Sequence, residues 1–415
     1  MTLLERIEAG EVQRHTRPAV DAEAMKTAVD IVESVRSGGE TALRRHGESL
    51  GDIGPGDELT YDRESLAAAT EGLDSAHLAT LHRTRDRIAR FARAQLGGLS
   101  ELDVPVEGGR AGHRWIPVSR VGAYAPGGRH PLPSSVLMTV VPAAVAGVDS
   151  IWVASPRPTP ATLAAASVAG ADGLLAVGGA QAIAALAFGV VTPPCDMIVG
   201  PGNKWVTAAK KHLFGEVGID GLAGPSEILV IADDGADPDL VAADLLAQAE
   251  HDVDAIPILV TTSAALADAV DIRIRDQLSD LPTSATATTA LGNGFATVVS
   301  DLAEATGIAE RLAPEHLALH VGPAEETAMR LRSYGSLFIG AGSAEAFADY
   351  GVGPNHVLPT GGGARYQSGL SVMTFLRSPT WSRLDDPATM VEDTVTLARM
   401  EGLEAHARAA LRRLP

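Results

Sequence analysis

Gln248-Ala249-Glu250-His251 closes an apolar run spanning residues 240–247. A helix turns every 3.6 residues, so Gln248 and His251, three apart, share one side while Glu250 points elsewhere. An amide oxygen and a ring nitrogen presented together can hold a metal ion without any thiolate. By themselves these four residues favour a plainer reading, a hydrogen-bonded histidine at a helix end. The weight shifts only with the other chemically awkward residues downstream.

Glu315-His316 follows Ala313-Pro314 directly before an apolar stretch. A carboxylate beside an imidazole offers two bases of different strength, one suited to water and one to an alcohol proton. In an ideal strand they point to opposite faces, so a shared site requires them to sit in the loop before it. A solvated glutamate beside a packed histidine is the commoner fate of such a dipeptide. Asp349 is a candidate hard oxygen ligand, and His356 fits a structural hydrogen-bonding role equally well. Glu401 and His406 lie on a terminal helical stretch; five residues turn through about 140°, so they do not share a face cleanly. Gly402 weakens the helix between them. Cys195 is the single cysteine. It stands at the start of a strand, the wrong end for a thiohemiacetal route, and reads as structural.

Three glycine-rich loops follow strand ends: Tyr124-Ala125-Pro126-Gly127-Gly128, Gly178-Gly179-Ala180-Gln181 and Gly200-Pro201-Gly202-Asn203-Lys204. Glycines there let backbone amides approach a phosphate, and the following helix N-terminus favours negative charge. Lys204, Lys210 and Lys211 add local cations. None of the loops is a G-x-G-x-x-G fingerprint, and tight strand-to-helix turns need glycine in any case.

Positioning these residues falls to a layered α/β chain. With 46% hydrophobic but only 4% aromatic residues, Ala, Val and Leu fill the interior of a 415-residue chain large enough for two domains. The net charge of −19 argues against a nucleic-acid surface. Met1 to Val20 is charged and polar, and no run of 18 apolar residues exists. A soluble protein with neither signal peptide nor membrane span is expected, most simply cytoplasmic. One cysteine excludes an internal disulfide and a multi-cysteine zinc site.

Strands read at 116–121, 150–154, 173–177 and 197–200, with helices at 134–146, 160–169, 181–188 and 203–214. A second series has strands at 228–232, 257–261, 296–299, 317–321 and 336–339, with helices at 238–249, 264–277, 302–313 and 325–332. Such alternation predicts two doubly wound parallel-sheet modules with right-handed crossovers, divided near residues 221–226. Helices are expected at 22–36 and 75–95, a loop at 97–109, and an irregular stretch from 361 to 387. A final helix at 390–412 has little to bury against on its own subunit.

These stretches resemble the histidinol dehydrogenase family. To the loops already quoted, Ala223-Gly224-Pro225-Ser226-Glu227, Asn355-His356-Val357-Leu358-Pro359-Thr360 and Glu401-Gly402-Leu403-Glu404-Ala405-His406 add further motifs in the family's order. The resemblance implies two Rossmann-like domains with N-terminal helices and a C-terminal helical tail. The division expected is an N-terminal segment at 1–19, a discontinuous first domain at 20–123 and 226–370, a second at 124–225, and a tail at 371–415.

It further implies one zinc per subunit held by Gln248, His251, Asp349 and His406, the same residues anchoring substrate. Ser226, His316 and Glu401 are implied as substrate contacts, and Tyr124, Gln181 and Asn203 as NAD contacts. Glu315 and His316 are implied as the catalytic pair of a four-electron oxidation of histidinol to histidine through the aldehyde. A homodimer that exchanges tails is implied as well, with no nucleic-acid or membrane partner. Two segments differ: Leu317-Ala318-Leu319 stands where the family commonly reads Leu-Glu-Leu, and Arg129-His130-Pro131-Leu132 is similar to relatives acting on other alcohols, including a sulfonated propanediol. A paralogous dehydrogenase of another small polar alcohol is therefore the alternative.

Overall fold

The computed structural model describes residues 2–13, 20–127 and 131–414. Gly128, Arg129 and His130, part of the segment similar to relatives acting on other alcohols, lie outside the described residues, as do residues 14–19 of the N-terminal segment.

Two six-stranded sheets carry the fold. In the first, the order is Gly218–Ile219, Met197–Val199, Arg120–Tyr124, Ser150–Ala154, Gly173–Leu175 and Thr60–Asp62, all parallel except the last. The second runs Glu5–Arg6, Phe295–Val298, Ile256–Thr261, Glu227–Ala232, His316–His320 and Ser336–Ile339, parallel throughout. Apart from an early edge strand in each, Thr60–Asp62 and Glu5–Arg6, each sheet starts at a central strand, winds to one side, then returns to the other. The reversal in the first falls between Arg120–Tyr124 and Met197–Val199, and in the second between Glu227–Ala232 and His316–His320. The doubly wound α/β class expected from the alternation is the class observed.

Parallel strands covered on both faces read as continuous apolar runs. Every residue of Glu227–Ala232 is buried. Its period of two sends Ile228, Val230 and Ala232 into one core, and Leu229 and Ile231 into the core on the opposite face. The covering helices are delimited by local chemistry. Thr159 caps Pro160–Ala169, with Pro160 in the first turn, and Gly170 ends that helix at φ 94°.

The domain boundaries differ from those expected. Residues 20–123 belong with the first sheet: Thr60–Asp62 forms its edge and Arg120–Tyr124 its centre. Helix Ala22–Ser49 packs on helices Gly179–Phe188 and Lys204–Leu213. Among the described residues, Glu5–Arg6 pairs with the second sheet, and Leu4 and Val12 join its cores. Val357, Leu370, Val372 and Phe375 return to the first core. Residues 220–226 connect Gly218–Ile219 of the first sheet to Glu227–Ala232 of the second. The helical N-terminus carries no pairing signal, so chain order alone could not tell which sheet it covers.

Three local expectations also change. Helix Ala22–Ser49 continues beyond residue 36, broken only at Gly39 (φ 54°, ψ −139°). The supposed loop at 97–109 contains a strand, Leu102–Val106, paired with Gly109–His113, which in turn pairs with Thr380–Leu384. Pro105 and the flanking glycines mask its alternation. The terminal helix is two, Ala388–Met400 and Glu404–Leu411, with Gly402 at φ 75° between them. These two pack mainly on each other and leave Leu397 and Met400 exposed.

Candidate active site

Helix Pro238–Ala249 begins on the Asp237 cap and delivers Gln248, fully buried, in its last turn. The chain leaves the helix at Glu250, and the His251 amide donates back to the Gln248 carbonyl at 3.3 Å. Gln248 and His251 therefore remain neighbours although only the first is helical. Helix Leu302–Leu312 ends at Ala313, held at φ 52°, and Pro314 then turns the chain into the strand His316–His320. Register places His316 opposite Ile228, so Glu315 meets Glu227, the first residue of its strand, at the amino edge of the sheet. The Glu227 amide donates to Glu315 Oε2 at 3.0 Å. The short helix Glu345–Asp349 supplies two carboxylates one turn apart.

These elements converge. His251 Nε2 lies 3.5 Å from Asp349 Oδ2 and 4.0 Å from Glu345 Oε1. His316 Nδ1 stands 3.1 Å from the Gln248 amide, 3.2 Å from the Glu227 carbonyl and 3.7 Å from Glu315 Oε2. His316 Nε2 is buried without a partner among the described residues. His356 Nδ1 donates to the Asp349 carbonyl at 3.2 Å, and its Nε2 lies 3.3 Å from Ser135 Oγ. A cleft of about 590 Å³ opens over this group, and Ser226, Asn203, Lys204 and Trp205 also line it.

Burial sets the electrostatics. Taking Glu315 out of water raises its carboxyl well above the ordinary range, and the neighbouring Glu227 and Asp349 charges push the same way. Glu227 is pushed up to about 7, again chiefly by burial. Burial lowers His316 to about 4, so its imidazole is neutral at pH 7; with Nδ1–H donating to the Glu227 carbonyl, the lone pair is on Nε2. For Asp349, burial raises the carboxyl, but the hydrogen bond from His251 and the charges of His356 and His316 outweigh it, and the net shift is downward. The same hydrogen bond raises His251.

The donor chemistry fits a divalent metal. One ligand atom each from His251, Glu345 and Asp349 lies within 4.8 Å of the others. The Gln248 amide is satisfied when its NH2 turns toward Glu227 and Glu345, which faces Oε1 the other way. A mixed nitrogen and oxygen set of this kind suits zinc.

The cleft joins two unlike edges. Pro126, Pro201 and Gly202 come from beyond the carboxyl ends of first-sheet strands, where ligands of doubly wound sheets bind. Ser226, Glu315 and His316 come from the amino ends of second-sheet strands. Asn203 lines the cleft, though its side chain caps helix Lys204–Leu213 by accepting from the Trp205 and Val206 amides. Tyr124 and Gln181 sit together around the glycine loop, not in the cleft lining. Tyr124 Oη accepts from the Gly179 amide at 3.2 Å, and Gln181 Nε2 donates to Asp52 Oδ2 at 3.4 Å. Both are buried, and Gln181 Oε1 has no partner among the described residues.

Of the expected cations, Lys210 is spent: it is buried on Asp220 and the Gly200 carbonyl. Lys204 stays exposed beside Asp21. Cys195 is buried at the amino end of its strand, away from the cleft, and burial pushes its thiol up to about 12. That agrees with a structural role. Ala318, where the motif departs from the family, is a packed core residue. Glu401 and His406 are exposed on the tail and do not line the cleft of their own chain. Glu345 and Glu227 escaped the sequence reading; the four-residue spacing of Glu345 and Asp349 was the available signal.

A family model described as histidinol dehydrogenase matches residues 15–414. The chain belongs to the histidinol dehydrogenase family. This is an oxidoreductase family of histidine biosynthesis. The histidinol dehydrogenase of Thermus thermophilus is 46% identical over 384 residues, covering 91% of this chain and 92% of the relative. That of Haloarcula marismortui is 45% identical and covers 92% of each. The crystal structure of histidinol dehydrogenase from Elizabethkingia anophelis superposes with a TM-score of 0.92 at 31% identity, covering 100% of this chain and 98% of that one.

Proposed function

We propose that this histidinol dehydrogenase family member oxidises L-histidinol to L-histidine through histidinal, the last step of histidine biosynthesis, using NAD and one zinc per subunit. The observation that carries the reading is the neutral His316, with an unpartnered Nε2, packed against the Gln248, His251 and Asp349 group. Gln248, His251 and Asp349 are the residues that would hold the metal, joined by His406. When bound, the ion supplies an anchor for the substrate's imidazole and amino nitrogens.

Anchoring removes the entropy of a second encounter between the two oxidations. His316 Nε2 would accept the hydroxyl proton of the alcohol, and NAD, held around the glycine loops, would supply the hydride acceptor for both oxidations. Glu315 takes a proton from water as the oxygen adds to the aldehyde carbon. The hydrate so formed would be the substrate of the second oxidation. The balance is one alcohol, one water and two NAD giving one carboxylate, two NADH and three protons. Ser226 and Glu401 would orient the substrate, and Tyr124, Gln181 and Asn203 would form the NAD site around the glycine loops.

Support for a tail-exchanged homodimer comes from the exposed apolar side chains of the tail and from Glu401 and His406 standing outside their own cleft. The compartment proposed is the cytoplasm, with no nucleic-acid or membrane partner. Among the described residues, no helix is long and apolar enough to cross a membrane.

The test is stoichiometric. Purified protein with zinc and excess NAD should form two NADH per histidinol consumed and leave a sulfonated propanediol untouched. Glu315→Gln should keep the first oxidation better than the second and oxidise added histidinal poorly. Turnover of the propanediol and not of histidinol would overturn the substrate assignment.

A further inference from the structure

Glu345 is 1% exposed and lies beneath the cleft, one helical turn before Asp349. Its Oε1 stands 3.6 Å from His316 Nδ1, while Oε2 has no hydrogen-bond partner among the described residues. The decisive geometry concerns the Gln248 amide. With its NH2 group turned inward, Nε2 faces three polar atoms: His316 Nδ1 at 3.1 Å, the Glu227 carbonyl at 3.2 Å and Glu345 Oε1 at 3.3 Å. With the His316 Nδ1 proton directed to the Glu227 carbonyl, the two oxygen acceptors match the two hydrogens of the amide. The opposite orientation sets the amide oxygen against the same two oxygen atoms. An amide binds a cation through oxygen, because the nitrogen lone pair is delocalised into the carbonyl. Which way this amide faces therefore decides whether Gln248 is a ligand at all.

We infer that Glu345 is a positioning residue for the metal: it holds the Gln248 NH2 group inward, so that the amide oxygen faces the ion. The inference rests on the zinc reading above and adds a residue to it. Groups that orient a ligand from behind alter metal affinity by about ten- to hundredfold when removed. The required feature is an oxygen acceptor at the reach of a glutamate side chain.

The test uses the full-length protein and its zinc dissociation constant, measured by chelator competition. Glu345→Gln keeps an acceptor oxygen at the same reach and should bind zinc within about threefold of the native protein. Glu345→Asp keeps the carboxylate but is one methylene short, and should weaken binding about ten- to hundredfold. In a Gln248→Ala background, Glu345→Asp should cost nothing further, since there is no amide left to orient. The visible absorption of the cobalt-substituted protein should change with Glu345→Asp and not with Glu345→Gln.

Three results would overturn the inference: native affinity in Glu345→Asp, affinity loss in Glu345→Gln as in a direct ligand, or additive losses in the double variant. Should Glu345→Asp fail to fold, the Glu345→Gln affinity and spectrum still decide. A native protein that binds no zinc would instead sink the reading beneath it, which is a distinguishable outcome.

Discussion

The two edges that form the cleft work by different physics. At the carboxyl edge of the first sheet, glycine turns and helix starts bring backbone amides forward, and the titratable side chains Tyr124, Asp52, Lys210 and Asp220 are bonded to the glycine turns themselves. At the amino edge of the second, Glu227, Glu315, His316 and Glu345 are packed out of water, and burial moves every one of them from its ordinary titration range. The first edge suits a ligand recognised by shape and dipoles; the second suits proton transfer and cation binding. Amino ends of parallel strands are an unusual place for such a group. It arises here because helix Pro238–Ala249 runs antiparallel to the strands, so its last turn returns Gln248 to that end.

The comparison breaks if the second edge proves chemically idle. His316→Asn should lower NADH formation by about 10³-fold, the scale of a general base, with metal content unchanged. A loss below about tenfold would remove the base from that edge.

A thermodynamic prediction sharpens it. Glu227 titrates near 7 in the fold against 4.5 when free. A raised carboxyl contributes stability that is fully present below the free value and is lost as pH rises through the folded one. Between pH 4.5 and about 7, the metal-free protein should therefore lose about 3 kcal/mol on this account. Glu227→Gln should flatten the denaturant-unfolding profile across that window. Identical slopes in the two proteins would count against a desolvated edge.

The first edge is probed through its backbone. A Cβ at Gly200 would meet the Tyr124 carbonyl oxygen at 2.1 Å, in a residue already at φ 114°. Gly200→Ala should therefore displace that turn and raise the KM for NAD about tenfold, with a smaller change for histidinol. Equal changes in both constants would erase the distinction between the edges. The smallest effect belongs to neither: Cys195→Ser should keep activity within about threefold, and a loss above about 100-fold would bring back a thiol route.

Much of this was written in the sequence. Alternating apolar runs and helices named both sheets, because strand and helix periods are local properties. Gln248 and His251 were legible as neighbours because three residues nearly close a helical turn, and Glu315 and His316 because they are adjacent. Chain order did not reveal that the N-terminal helices cover the first sheet, since helices packed on helices leave no pairing pattern. Nor did it reveal that Glu345 lies against Gln248 in the candidate metal site, or that Lys210 is consumed by Asp220. Local periodicity fixes which elements form. Which buried groups then face one another is decided by long-range packing, and that packing alone sets their hydrogen-bond partners and their proton affinities.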